Sequence, residues 1–143
     1  MKIGDLAQQA GCTTETVRFY EKAGLLPAAD REANNYRSYS GRHLERLRFV
    51  RNCRALDMTH EEIHQLLDLM AAPAADCGGV NHLLDDHIQH VDARIAELLQ
   101  LKQQLDALRQ RCQREQAVDA CGILQGLVEM ETLARPERHT HLG

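Results

Sequence analysis

Tryptophan is absent from this 143-residue chain, and aromatic residues make up only 3% of it. So sparse an aromatic content argues against one large globular core and points to leucine-rich helices as the source of burial. No apolar run approaches the roughly 18 residues of a membrane span, which leaves the membrane out as a partner. The opening "MKIGDLAQQA" lacks the basic-then-apolar order of a secretory leader. Five cysteines, odd in number and irregularly spaced, do not make the even framework of a secreted disulfide scaffold. A reducing cytoplasm is the expected location, where thiols bind metal or simply pack. No cofactor-binding glycine loop stands out, nor a nucleophile with a base partner, so an enzyme is not expected.

What is present divides into two halves. Residues 1–56 carry ten Lys and Arg against six Asp and Glu, whereas residues 57–143 carry seven against fifteen. A basic front on an acidic chain suits a nucleic-acid face joined to something else. In the front half, Ile3, Leu6, Ala7 and Ala10 repeat at helical spacing, and Gly11 ends that helix. Thr13 caps a second helix, "TETVRFYEKAG", closed by Gly24. Two short helices joined by a tight glycine-containing turn make a helix-turn-helix. The stretch "LLPAADREANNYRSYS" then loses helical periodicity; Asn34-Asn35 provides a turn and "YRSY" alternates as a strand does, giving a small β-wing.

Ser40 caps a third helix running to about Leu56, with Arg42, Arg46, Arg48, Arg51 and Arg54 expected on its outer face. Thr59 with Glu62 forms a capping box for a fourth helix, "HEEIHQLLDLM". Pro73 lies in the break that follows. From Val80 the pattern changes: Leu84, Val91, Leu98, Leu105 and Cys112 recur every seven residues. Ile88, Ile95, Leu101 and Leu108 fill out the same stripe. A helix of about 33 residues is roughly 50 Å long, too long to bury its stripe against the small front half. Pairing with a second copy of the chain is the expected outcome.

The second helix carries Thr14, Thr16 and Arg18 where a recognition helix meets a major groove, and its Tyr20 is either a further contact or part of the core. Hydroxyls and a guanidinium there bond to phosphates or base edges. In the wing, Arg37 between Tyr36 and Tyr39 supplies charge and phenol hydroxyls for the adjacent backbone. Cys12 and Cys53 are expected to be buried and structural.

The run "IGDLAQQAGCTTETVRFYEKAGLLP", followed by "NYRSY", resembles the amino-terminal signature of MerR-family transcription regulators. Three further stretches, "RFVRNCRALDMTHEEI", "DCGGVNHLLDDHI" and "CGILQGL", resemble the cadmium- and lead-responsive branch of that family. The resemblance implies a mainly α fold: a winged helix-turn-helix, two more helices, and a long helix forming an antiparallel coiled-coil dimer. The expected organisation is a DNA-binding domain at 1–72, a hinge at 73–79 carrying Cys77, a dimerisation helix at 80–112, and a metal-binding loop, short helix and tail at 113–143. It further implies binding of double-stranded promoter DNA, action on RNA polymerase at that promoter, and induction of heavy-metal efflux or resistance genes.

Cys77 lies just before the long helix and Cys112 at its far end, about 50 Å away along a continuous helix. Antiparallel pairing sets the start of one helix beside the end of the other. Cys77 of one subunit then approaches Cys112 and Cys121 of its partner, twice by symmetry. Thiolate is the ligating form, and Cys77 and Cys121 both precede helix starts, where free N–H groups favour negative charge. Three thiolates suit Pb(II) or Hg(II), while Cd(II) and Zn(II) call for a fourth ligand. Copper(I) is a poorer match, because two linear thiolates suffice for it. His60 with His64, and His87 with His90, stand at spacings that can share a metal; His87, His90, His139 and His141 are candidates for a second site. Two rival readings remain, a thiol redox sensor built on Cys112 and Cys121 and a metal-buffering coiled-coil protein. An iron–sulfur cluster needs four clustered cysteines, and the loop has two.

Overall fold

In the computed structural model, residues 1–72 and 76–131 are described. The chain divides into two compact units, Met1–Leu84 and Asp85–Gly143. In the first unit, helix α1 (Ile3–Ala10) ends where Gly11 takes a left-handed φ of 70° and Cys12 N–H donates to the Ala7 carbonyl, a glycine-dependent stop. Helix α2 (Thr14–Lys22) starts at Thr13, whose hydroxyl accepts from Thr16 N–H at 3.1 Å. Gly24, at a φ of 75°, turns the chain after it.

The wing is a two-stranded antiparallel ribbon, β1 (Asp30–Arg31) with β2 (Arg37–Ser38), in the register Asp30 to Ser38 and Arg31 to Arg37. Asn35 holds a φ of 67°, and the Asn34 side chain accepts from Tyr36 N–H, which makes the asparagine pair the turn. Helix α3 (Gly41–Ala55) begins at Ser40, and α4 (His60–Met70) begins at the expected box: Glu62 N–H donates to Thr59 Oγ1 at 3.0 Å and Thr59 N–H to Glu62 Oε1 at 2.9 Å.

The core of this unit is aliphatic. Leu6, Val17, Leu25, Leu47, Val50 and Ile63 are fully buried, joined by Tyr20, Tyr39, Cys53 and Leu83. Each such aliphatic side chain contributes about 1.5–3 kcal/mol relative to exposure. Two polar side chains are built into this framework. His43, buried on α3, accepts from Ser40 N–H at Nδ1 and donates from Nε2 to the Ala28 carbonyl at 3.0 Å, tying the wing strand's approach to α3. Tyr39, 2% exposed, donates its hydroxyl to Glu21 Oε1 at 2.5 Å.

Arg42 and Arg48 are exposed on α3 as expected, whereas Arg46, Arg51 and Arg54 are half-buried. Arg51 donates to the Ala10 carbonyl and Arg48 to that of Gln9, so both close the end of α1. Arg54 donates to the Met58 carbonyl and closes the turn between α3 and α4. Carbonyls at a helix end have no partner within the helix, and nearby guanidinium groups satisfy them.

Helix α5 spans Gly78–Gln110 without interruption, 33 residues. It begins and ends two residues earlier than the expected 80–112. At its end, Cys112 N–H reaches back only to the Arg109 carbonyl and Arg109 Nη1 takes the Cys112 carbonyl at 2.7 Å. Cys112 therefore stands in the loop and not in the seven-residue stripe. Among residues 85–110, Ile88, Ile95, Leu98, Leu99 and Leu105 are exposed. A single 3-10 turn (Val118–Ala120) precedes the last described helix, α6 (Gly122–Glu129). No described helix is long and apolar enough to cross a membrane.

The Tyr39 hydroxyl is pushed up from 10.0 to about 12, first by burial and then by its bond to Glu21 and the charge of that carboxylate. Below the lower value the phenol is protonated in both folded and unfolded chains, and its contribution is complete. Between the two values the unfolded chain gives up the proton while the folded chain keeps it, so stability falls as pH rises. Urea unfolding across that window is expected to show a shallower loss of stability in Tyr39→Phe than in the unsubstituted chain. Identical pH slopes would contradict it.

Candidate metal centre and nucleic-acid interface

The two cysteines of the C-terminal loop come together. Gly122 packs closely on the Arg111 carbonyl, which brings their neighbours together: Cys112, just past the end of α5, and Cys121, the residue that caps α6. The Cys112 thiol also reaches the Arg114 carbonyl at 3.2 Å. The N–H groups of Leu124 and then Ile123, in the first turn of α6, hold the Cys121 thiol below the usual range, and Cys112 adds to the effect. A helix N-terminus presents unpaired donors and a partial positive charge, so a thiolate is favoured there. Both thiols are half-buried and free. Two adjacent sulfurs, one already biased toward the anion, form a soft-metal donor pair.

Cys77 is exposed and immediately precedes α5. Its backbone carbonyl accepts from Asn81 N–H at 2.9 Å, and Asp76 Oδ1 accepts from Gly78 N–H at 2.8 Å. The first turn of the long helix thus begins at this cysteine. Cys53 is buried, as expected, and burial raises its thiol pKa. Cys12 is only half-buried; its thiol is raised by burial and lowered in part by Arg51.

The two histidine pairs differ. His64 meets the Ala23 carbonyl through Nε2 at 3.1 Å, at the end of α2. His60 packs against the rings of Phe19 and Tyr20 at centroid distances of 5.4 and 6.3 Å. Burial lowers the His60 pKa, with Arg54 and His64 adding to that direction. These two side chains hold α2 against α4. His87, buried, and His90, exposed, come together on α5 with ligand nitrogens within 4.8 Å, close enough to share an ion, while His139 and His141 lie outside the described residues.

On the N-terminal unit, the recognition helix and the wing share one surface. Arg18 from α2 and Tyr36 and Arg37 from the wing line an open concavity of about 1180 Å³, together with Lys2 and Arg31. Tyr36 is 70% exposed at its rim. Thr14 and Thr16 are half-buried in the first turn of α2, with Thr16 Oγ1 3.0 Å from Thr13 Oγ1. Tyr39 lines the same concavity, though it is 2% exposed and its hydroxyl donates to Glu21, while Tyr20 is buried in the core. Lys2 and Arg31 were missed from the sequence. The signal for Arg31 was its place opposite Arg37 across the Asn34-Asn35 turn, which the strand register makes a cross-strand pair.

Comparison with known proteins follows the same division. Residues 1–69 match the family model described as MerR HTH family regulatory protein, and residues 44–108 match that described as MerR, DNA binding. The chain is 46% identical over 111 residues to the HTH-type transcriptional regulator ZntR homolog of Haemophilus influenzae, covering 78% of this chain and 82% of that one. It is 30% identical over 128 residues to the mercuric resistance operon regulatory protein of Bacillus cereus, covering 90% and 97% respectively. Among solved structures, the transcription regulator PbrR691 from Ralstonia metallidurans CH34, in complex with lead(II), matches with a TM-score of 0.81 and 47% identity over 89% of this chain and 98% of that one. A helix-turn-helix, a wing and a cysteine-bearing loop beyond a long helix, together with these likenesses, make the chain a member of the MerR family of DNA-binding transcription regulators, a family of regulators and not of enzymes.

Proposed function

We propose that the chain is a metal-responsive activator that works as an antiparallel homodimer. Cys112 and Cys121 of one subunit, with Cys77 of the other, bind a soft divalent ion. The observation that carries this reading is the close packing of Gly122 on Arg111, which brings their neighbours Cys121 and Cys112 together at one end of an unbroken 33-residue helix, with Cys77 just before the start of that helix. A second copy supplies the missing sulfur when the two helices run in opposite directions. The exposed Ile88, Ile95, Leu98 and Leu105 support that pairing, since an open apolar stripe on a long helix is best buried against another helix.

The donor set fits Pb(II) and Cd(II), with Hg(II) or Zn(II) as further candidates. The likeness to a lead(II)-bound regulator and to a mercuric resistance regulator supports the same chemistry. His87, His90, His139 and His141 remain the proposed second set of nitrogen ligands.

The N-terminal unit reads promoter DNA through Thr14, Thr16 and Arg18 in the major groove and through Tyr36, Arg37, Arg31 and Lys2 along the backbone. Arg31 and Arg37 face each other across the ribbon, and like charges directly opposite destabilise a strand pair. A phosphate between them removes that repulsion. The paired N-terminal units hold a promoter whose elements stand too far apart in a bent, poorly transcribed form. The loop carrying Cys112 and Cys121 then closes on Cys77 of the partner and favours a second dimer conformation, in which the DNA is untwisted for RNA polymerase. Only a difference in affinity between the two conformations can drive this switch, and the DNA response is deformation rather than new base contacts. The regulated genes are efflux or sequestration functions.

The nearness of Cys112 to Cys121 also favours a second reading, a thiol sensor that responds by forming a disulfide. A reporter titration with Pb(II) and Cd(II) in reductant separates the two. Cys77→Ser, Cys112→Ser and Cys121→Ser are each expected to abolish induction while operator binding persists. Induction retained in Cys77→Ser, or seen only on oxidation, would favour the disulfide. Arg18→Ala and Arg37→Ala are expected to weaken operator binding and to reduce the salt slope by about 1 each. Metal affinity should be nearly unchanged in both; unaltered operator affinity would show that the reading face lies elsewhere.

A further inference from the structure

Helix α6 has eight residues, and its Leu124, Leu127 and Val128 are exposed. Isolated helices of this length do not hold themselves in water, and little apolar burial within the described chain secures this one. What lies against it is Arg111. A Cβ on Gly122 would collide with the Arg111 carbonyl oxygen. A Cβ on Gly126 would come to 2.5 Å from Arg111 Nη1 and 3.0 Å from Leu108 Cδ2. Gly122 and Gly126 stand one turn apart on the same face, and Gly126 is the buried residue of the helix. Further along, Arg111 Nη2 is 3.9 Å from Glu129 Oε2. Backbone and guanidinium of one arginine therefore run the length of α6, in a slot that two missing side chains leave open. Glycine is unfavourable inside a helix relative to alanine, so Gly126 weighs against α6 unless close approach requires it.

We infer that Arg111 is a positioning residue: by docking α6 through Gly122 and Gly126 it sets Cys121 beside Cys112 before an ion arrives. The inference rests on the proposed metal site and deepens it. Arg111 touches neither sulfur's charge directly; it acts by keeping the first turn of α6 formed.

The test uses the full chain, with Cd(II) as the probe and two readouts: Cd(II) affinity by chelator competition, and hydrogen exchange of the α6 amides before the ion is added. Arg111→Ala is expected to weaken Cd(II) binding about tenfold, the scale of losing a residue that orients a ligand. The thiolate-to-metal absorption per bound ion should stay the same, the α6 amides should exchange faster while those of α1 to α4 do not, and Arg111→Lys should recover part of the affinity. Gly126→Ala should weaken binding with Arg111 present and add little in the Arg111→Ala background, the non-additivity expected of groups in contact. Unchanged affinity and unchanged α6 exchange in Arg111→Ala, or simple additivity with Gly126→Ala, would overturn the inference. Cys121→Ser is measured alongside. If it leaves Cd(II) affinity intact, the metal-site reading fails, while α6 exchange in Arg111→Ala still reports on positioning.

Discussion

Continuity of helix α5 is the constraint on which the rest depends. Its 33 residues run from Gly78 to Gln110 without a proline or glycine inside the run after its first two positions. A helix cannot fold back on itself, and at 1.5 Å per residue this one is roughly 50 Å long. Cys77 precedes it and Cys112 follows it. Among the described residues, Ile88, Ile95, Leu98, Leu99 and Leu105 of α5 are exposed. One physical fact, an unbroken rod, thus motivates both the second copy and the shared ion in the proposed dimer.

The front unit solves a different electrostatic problem, that of being basic without falling apart. It does so by dividing its guanidinium groups into two uses. Arg48, Arg51 and Arg54 turn toward carbonyls at helix ends, where they are held by hydrogen bonds. Arg18, Arg31 and Arg37 are exposed and line an open surface, where Arg31 also donates to the Asn35 carbonyl at 3.0 Å. The first set joins α1, α3 and the following turn; the second faces outward. His64 and His60 complete the mounting of α2, one at its last carbonyl and the other against its aromatic side chains. Helix α2 is thus held at both its end and its side.

Much of this was legible before any coordinates. The Thr59–Glu62 box, the left-handed turn at Gly11 and the asparagine turn of the wing each follow from local chemistry, since a short polar side chain or a glycine has few alternatives there. The long helix was legible from its seven-residue repeat. Its end was misjudged because Cys112 continues that repeat, whereas the stop comes from the Arg109 side chain taking the Cys112 carbonyl, a contact periodicity does not encode. Arg51 and Arg54 leave the outer face of α3 for a related reason: spacing places a side chain on a face but does not say where a long flexible one bends. Tyr39 looked like an exposed hydroxyl in a basic wing, yet Glu21, eighteen residues earlier, captures it in the core. Lys2 joined the open surface only through folding. The close packing of Gly122 and Gly126 on Arg111 is likewise something no spacing rule supplies.

The central claim is that sulfurs from two chains complete one ion site, and it is tested most directly with mixed dimers. A dimer of one Cys77→Ser subunit and one Cys112→Ser subunit keeps one cluster whole: Cys77 of the second subunit with Cys112 and Cys121 of the first. Metal stoichiometry measured on the purified heterodimer should return one tightly bound Cd(II) per dimer, with none in either homodimer of the substituted chains. A heterodimer as empty as its parents would contradict sharing between chains, as would a Cys77→Ser homodimer that binds a full complement.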